Sequence, residues 1–365
     1  STCGARWYSF TPPHWYTFSP PLTTEVIAGQ NVIQMHQVTR RSIVMHTHGN
    51  RADAPYRFRF LAGLAVLDWA LPCRFGALER MTGARRLDYM KRDESVETYY
   101  SDSELGRAIL DALAEMGKDA NSLTIDDLAP IDAFHIRGRV ATAELAGIAN
   151  IAAGANILDV GSGLGGSARF LASQFDCDVT GLDITRDYCD VATMLSDLVG
   201  LGDSTRFEHG SALDMPFESD VFDVVWTEHA QMNIEDKRGF YSEITRVLMP
   251  GGKLAFHDIF QGPQGVVSFP VPWAGGQSLS FLTSEADLQS LLGEFGFNVL
   301  AWKDVTEASA KFFENRIPVM ERRAPPPLDL ALVMGADRMS KFRNLGHAVA
   351  NGHAAVILAV MELTA

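Results

Sequence analysis

The sequence predicts an α/β protein built on a doubly wound sheet, and three observations carry that expectation. From Asp93 onward, short apolar runs alternate with amphipathic helical patterns, the signature of strands crossed by helices. A glycine-rich loop, Gly161-Ser-Gly-Leu-Gly-Gly166, separates one apolar run from one helical pattern. Asp183 ends the next apolar run, 22 residues after Gly161. In such sheets ligands bind at the carboxyl ends of the strands, where this loop and this carboxylate belong.

The elements follow in order. Leu105, Ile109, Leu110, Leu113 and Met116 recur at helical spacing over Ser103–Met116, and Gly117 stops the pattern. Asp126-Asp-Leu-Ala-Pro130 reads as a turn, and Arg139–Ala149 as a second amphipathic helix. Then come strand 157–160, helix 166–174, strand 179–183, helix 187–199, strand 205–209, strand 222–227, helix 237–248 and strand 252–259. A helix over Thr283–Gly293, a strand over Phe297–Val305 and a last strand over Ala354–Met361 complete seven strands. Residues 306–350 read as a mostly helical insertion, with Ala324-Pro-Pro-Pro327 as a stiff joint.

Glycines in the first loop let backbone approach a ligand closely, and Asp183 can take the two hydroxyls of a ribose, so a nucleoside-bearing cofactor is expected. Gly161-x-Gly163-x-x-Gly166 also satisfies the dinucleotide fingerprint. Asp159, two residues ahead of the loop, decides between them, because it repels a diphosphate and attracts an ammonium group. Gly210-Ser-Ala-Leu-Asp-Met-Pro-Phe217 forms a turn suited to a purine, Phe222-Asp-Val-Val-Trp-Thr227 a buried strand, and Arg246-Val-Leu-Met-Pro-Gly-Gly252 a helix end feeding another strand.

This ordered set, over about residues 95–305, resembles the class I S-adenosylmethionine-dependent methyltransferases. The nearest group is that of sarcosine/dimethylglycine and phosphoethanolamine N-methyltransferases, with quinone and tocopherol methyltransferases as neighbours. The resemblance implies a Rossmann-like, mostly parallel seven-stranded sheet whose last two strands pair antiparallel at one edge, with a helical lid before it. It also implies S-adenosyl-L-methionine as cofactor. Asp159, Gly161, Gly163 and Gly165 would then cradle its methionine part, Asp183 and Ile184 its ribose end, and Ser211 and Ala212 its adenine. Many relatives carry an acidic residue where this chain has Ser211.

Charge is divided unevenly. Residues 1–92 hold 12 Lys and Arg against 5 Asp and Glu, and residues 93–365 hold 19 against 40. An acidic catalytic region argues against nucleic acid as substrate, since phosphate contacts need clustered cations. No apolar stretch reaches membrane-spanning length. Cys3, Cys73, Cys177 and Cys189 lack metal spacing and read as reduced thiols of a cytoplasmic protein. Residues 1–92, where 11 of the 12 basic residues are arginine, read as a poorly ordered extension ahead of a methyltransferase domain over 93–365. Within that domain 93–150 is the helical lid and 151–305 the cofactor-binding core.

Methyl transfer from a sulfonium is an in-line displacement that depends on positioning, with a base needed when the acceptor is an acidic carbon or a hydroxyl. Glu228-His229 directly follows strand 222–227, so both are placed beside the reacting methyl, His229 to orient or deprotonate the acceptor and Glu228 to fix the site. Phe134-His-Ile-Arg-Gly138 precedes helix 139–149, and His135 and Arg137 are expected to meet substrate or the cofactor carboxylate. Tyr99-Tyr100 is expected before the first helix, with Tyr100 closing over the cofactor. Gln231, Met232 and Asn233 are expected on the rim of the acceptor pocket, with Trp273 of the Phe269-Pro-Val-Pro-Trp273 loop in its wall. His46-Thr-His48 has no third ligand of suitable spacing, so no metal site is expected.

The leading expectation is therefore methyl transfer to a small-molecule acceptor, an amine nitrogen before a quinone or phenol carbon or oxygen. A cofactor-binding protein without turnover and an NAD(P)-dependent oxidoreductase are the alternatives.

Overall fold

The computed structural model describes residues 93–364 except Ser103, and the backbone of six strands between Trp7 and Ala70. The chain divides into two compact units, Ser1–Arg80 and Met81–Ala365. In the first, β1 (Trp7–Phe10), β2 (Thr24–Ala28), β3 (Asn31–Thr39) and β4 (Ser42–Thr47) pair in the order β1-β4-β3-β2, and β5 (Arg57–Ala62) pairs with β6 (Ala65–Ala70). The expectation of a poorly ordered extension over 1–92 otherwise falls outside the described residues, as do the side chains of His46 and His48.

The second unit is built on a seven-stranded sheet: β7 (Asn156–Val160), β8 (Asp178–Asp183), β9 (Thr205–His209), β10 (Phe222–Glu228), β11 (Leu248–Gln261), β12 (Phe297–Asp304) and β13 (Ala354–Leu363), in the order β12-β13-β11-β10-β7-β8-β9. β9, β8, β7, β10 and β11 run parallel, and β13 is antiparallel to both of its neighbours. Strand order reverses between β7 and β10, which opens a crevice at their carboxyl ends.

Period-two alternation splits the strand side chains between two apolar layers. Ile157, Val179, Val224 and Trp226 face α4 (Arg139–Ala149) and α5 (Gly166–Phe175), while Leu158, Leu182, Val225 and Leu254 face α7 (Lys237–Val247) and α8 (Glu285–Glu294). A third apolar cluster joins α2 (Leu105–Glu115) and α3 (Ile125–Asp132) to α6 (Arg186–Leu198). It places the lid helices over the crevice, each fully buried Leu or Ile contributing roughly 1.5–3 kcal/mol.

Two local expectations are corrected. Asp126–Pro130 is not a turn but part of α3, because Thr124 and Asp127 form a capping box and Leu128 and Ile131 are buried beneath it. The adjacent acids that suggested a turn are first-turn residues complementing the helix dipole. Tyr99 and Tyr100 do not precede the first helix; they are the last two residues of α1 (residues 93–100). The segment after β12 holds α9 (Thr306–Arg322), α10 (Ala331–Met334) and α11 (Arg338–Ala350), and the Pro325–Pro327 run lies between α9 and α10.

Candidate active site

The loop leaving β7 carries three glycines at positive φ: Gly161 at 74°, Gly163 at 53° and Gly165 at 79°. A Cβ on Gly161 would lie 2.6 Å from that of Ala230, so only glycine lets the β7 and β10 loops meet. Gly163 has nothing within 4 Å of where its Cβ would stand, and its amide donates to Asp183 Oδ2 at 2.8 Å. The other Asp183 oxygen accepts from the Thr185 amide at 2.8 Å. Gly165 is a different case: a Cβ there would stand 2.6 Å from the Phe207 ring, so its bare Cα makes room for that ring, and it lies outside the cavity lining.

A cavity opens above this loop, and Asp159, Gly161, Gly163, Asp183, Ile184, Ser211, Ala212, Glu228 and Tyr100 all line it. Six acidic residues line it, Asp93, Asp132, Asp159, Asp183, Glu228 and Glu235, of which Asp132 is paired with Arg169, and among the described residues no Lys or Arg lines it. Asp159 is 2% exposed and its Oδ2 has no hydrogen-bond partner among the described residues. Burial pushes its carboxyl well above the ordinary range, and the nearby Glu228 and Asp183 push it further. A buried acceptor without a donor is costly; an ammonium group supplies the donor and the opposite charge. The chemistry of this lining fits an amino-acid-bearing sulfonium nucleoside and opposes a diphosphate. Ser211 is hydrogen-bonded to Asp93 of α1, and both line this cavity.

Tyr100, Phe134, His135 and His229 line both this cavity and a second one beside it. Glu228, the last residue of β10, is the hub beneath them. Its carboxylate accepts from Ser167 Oγ at 2.6 Å, Trp226 Nε1 at 3.0 Å and Thr142 Oγ1 at 3.1 Å, and lies 3.2 Å from His135 Nε2. Burial by itself would raise this carboxyl, but His135, His257 and the Ser167 hydroxyl outweigh it and hold it at about 2. His229 follows at a φ of 56°, its amide bonded to the carbonyl of His257 at 2.9 Å. Burial, with the neighbouring His257 and His135, holds its ring well below the ordinary histidine value, and Nε2 has no partner among the described residues. His229 thus lines both cavities with a buried Nε2 that has no partner among the described residues.

The second cavity is walled by Trp273, Met232, Phe312, Phe313 and Phe342. Among the described residues it is lined by four arginines and one acid: Arg137 pairs with Glu144, Arg139 with Asp126 and Arg338 with Asp329, and Arg316 is the fourth. Arg137, at a φ of 67°, pairs with Glu144 through Nη2 while its buried Nη1 has no partner among the described residues. Trp273 is 1% exposed and donates to Ser280 Oγ at 3.0 Å. Gln231 is corrected: it lines neither cavity, being 1% exposed with its side-chain oxygen accepting from Tyr241 OH at 3.1 Å. The 3-10 turn Gln231–Asn233 aims it into the layer under α7 and presents Asn233 instead, which accepts from Tyr100 OH at 3.2 Å.

Sequence reasoning placed Asn233 and Met232 on the pocket rim, where they line the first and second cavity respectively, but passed over Asp93, Thr142, Ser167 and His257. Most lacked any local signal. His257-Asp258 was the exception: two polar residues inside the apolar strand β11 mark the carboxyl end of a sheet strand.

A family model for the methyltransferase domain matches residues 158–256. The chain is 37% identical over 98 residues to the tocopherol O-methyltransferase of Arabidopsis thaliana, covering 27% of this chain and 28% of that one. It is 28% identical over 179 residues to the glycine/sarcosine/dimethylglycine N-methyltransferase of Actinopolyspora halophila, covering 49% and 32%. The chain therefore spans a third or less of the length of these curated relatives. Its fold is similar to that of phosphoethanolamine N-methyltransferase 2 of Haemonchus contortus, with a TM-score of 0.54 at 16% identity over 94% of this chain and 71% of the other. Glycine loop, acid-lined cavity and matched segment agree: the chain carries a class I S-adenosylmethionine-dependent methyltransferase domain.

Proposed function

We propose that the chain methylates a largely apolar small molecule bearing an anionic or oxygen group, bound in the second cavity, and releases S-adenosylhomocysteine. The observation that carries this reading is the contrast between a cavity lined by acidic residues and a neighbouring one lined by aromatic rings and arginines, with His229 shared by both. Bound S-adenosylmethionine supplies an electrophilic methyl group. Asp159 meets the ammonium of its amino-acid tail, Asp183 its ribose and Asp93 with Ser211 its base. The arginines and aromatic wall of the second cavity select the acceptor, and they disfavour a small cationic amine. His229, whose Nε2 has no other partner among the described residues, would take the acceptor's proton when there is one to lose. Phe134, Tyr100 and His135 close the junction and exclude water.

The test is a screen with isotopically labelled S-adenosylmethionine against aromatic and aliphatic carboxylic acids, phenols, quinones and small amines. Label is expected on apolar acids, phenols or quinones. Label confined to glycine-like amines would defeat this reading. Thermal stabilisation by S-adenosylhomocysteine but not by NAD(P) is expected in parallel.

A further inference from the structure

We propose that His135, Glu228 and His257 form a binding site for one divalent first-row transition ion at the junction of the two cavities.

Glu228 and His257 stand side by side in register on the adjacent parallel strands β10 and β11, and His135 comes down on them from the lid segment before α4. One ligand atom from each lies within 4.8 Å of the other two. His257 is wholly buried, yet neither of its ring nitrogens has a hydrogen-bond partner among the described residues. Its Nδ1 is 3.7 Å from Glu228 Oε1, too long for a hydrogen bond. It is close to the spacing of about 3.3–3.6 Å between two atoms bound tetrahedrally to one ion at about 2.0–2.2 Å each.

His135 Nε2 gives a second, independent indication. It lies 3.0 Å from Thr142 Oγ1, 3.1 Å from the Gly138 carbonyl and 3.2 Å from Glu228 Oε1. Thr142 Oγ1 already donates to Glu228 and the Gly138 carbonyl already accepts from the Ala141 amide at 2.8 Å, which leaves His135 Nε2 beside the Glu228 carboxylate, where one cation can bind both. The hydrogen bonds from Ser167 and Trp226 to Glu228 fix the carboxylate from behind, as outer partners do in metal sites.

Two imidazoles and a carboxylate favour Zn, Mn, Fe, Co or Ni over Mg or Ca. His257 is sealed behind the site, while His135 and Glu228 border the cavities, so the remaining coordination positions face the acceptor. An oxygen-bearing acceptor is the group that would fill them. The site itself does not depend on that reading.

The experiment uses the full chain, expressed without a histidine tag and purified without chelators, with metal content measured by plasma mass spectrometry. About one transition ion per chain is expected, with its uptake restored by Zn2+, Mn2+ or Co2+ chloride after chelation. His257→Phe and His135→Gln should each lower affinity at least about tenfold while unfolding cooperatively. Should His257→Phe fail to fold, His135→Gln decides. Metal-free protein that takes up none of the three ions, or undiminished binding in the folded variants, overturns the site. Methyl transfer measured on the same samples separates the two ideas: transfer by a protein that binds no ion defeats only this site, and a bound ion without transfer to any acceptor defeats only the proposed function.

Discussion

Arg169 Nη2 donates to Asp132 Oδ1 at 2.5 Å, with the two side chains 0% and 4% exposed. The pair joins the helix behind the glycine loop to the last residue of α3, so the lid and the cofactor loop are held by one buried contact. Arg169 also donates to the Leu164 carbonyl inside that loop at 2.7 Å.

Removing one partner of a buried pair strands the other charge, at roughly 3–5 kcal/mol. Asp132→Ala should therefore lower the urea midpoint by an amount of that order and weaken S-adenosylhomocysteine binding. A loss under about 1 kcal/mol, the range of exposed pairs, would show that the contact does not anchor the lid.

Gly166 lies beneath the same contact, and a Cβ there would overlap the Asp132 carbonyl oxygen. Backbone cannot yield as a side-chain tip can, so Gly166→Ala should push α3 away at a cost of about 1–3 kcal/mol or more. Increased hydrogen exchange in α3, measured in the variant, is the expected sign.

Asp159 supplies a prediction with two opposite signs. Its carboxyl is buried, unpartnered at Oδ2 among the described residues, and repelled by Glu228 and Asp183. Asp159→Asn should make the ligand-free protein more stable while weakening S-adenosylhomocysteine by roughly 1.5–3 kcal/mol, the worth of a charged hydrogen bond. Calorimetry and thermal melts on one preparation read both. A variant that binds as tightly as wild type would remove Asp159 from ligand recognition.

His229→Ala should reduce kcat by about 10²- to 10⁴-fold, the contribution of a positioned acid or base, with cofactor affinity nearly unchanged. If kcat is retained on an acceptor that must lose a proton, another group is the base.

Lys237 gives a pH dependence. Burial holds its amine down at about 8, below the 10.5 of a free lysine, with Asp258 opposing the shift. Its Nζ donates to the carbonyls of Gln231 and Phe281, both at 2.7 Å. Between pH 8 and 10.5 the unfolded chain holds more protons than the folded one, so this group makes stability rise with pH across that window. Urea midpoints at about pH 7.5 and 9.5, which bracket the lower part of that window, should differ by more in wild type than in Lys237→Met. Equal differences would place the titration elsewhere.

Local patterns carried the sheet well. The apolar runs 157–160, 205–209 and 222–227 match strands within a residue or so because alternation and turn residues are properties of adjacent positions. Asp126–Pro130 misled because acids and proline favour both turns and first helical turns, and burial of Leu128 and Ile131 decides which forms. Gln231 misled for a similar reason: its place after β10 was legible, but the direction of its side chain depends on Tyr241, ten residues on.

The order of residues alone determined the nucleoside site, because glycines that need positive φ and a carboxylate that ends a strand act within one strand–loop–helix unit. Packing alone decided the chemistry around Glu228. His135, Thr142, Ser167 and His257 come from four separate segments, and no spacing along the chain encodes their approach to one carboxylate. The same holds for the contrast between an acid-lined cavity and an arginine-bearing one: net charge is additive along a sequence, but the field at a site depends on which side chains folding turns toward it.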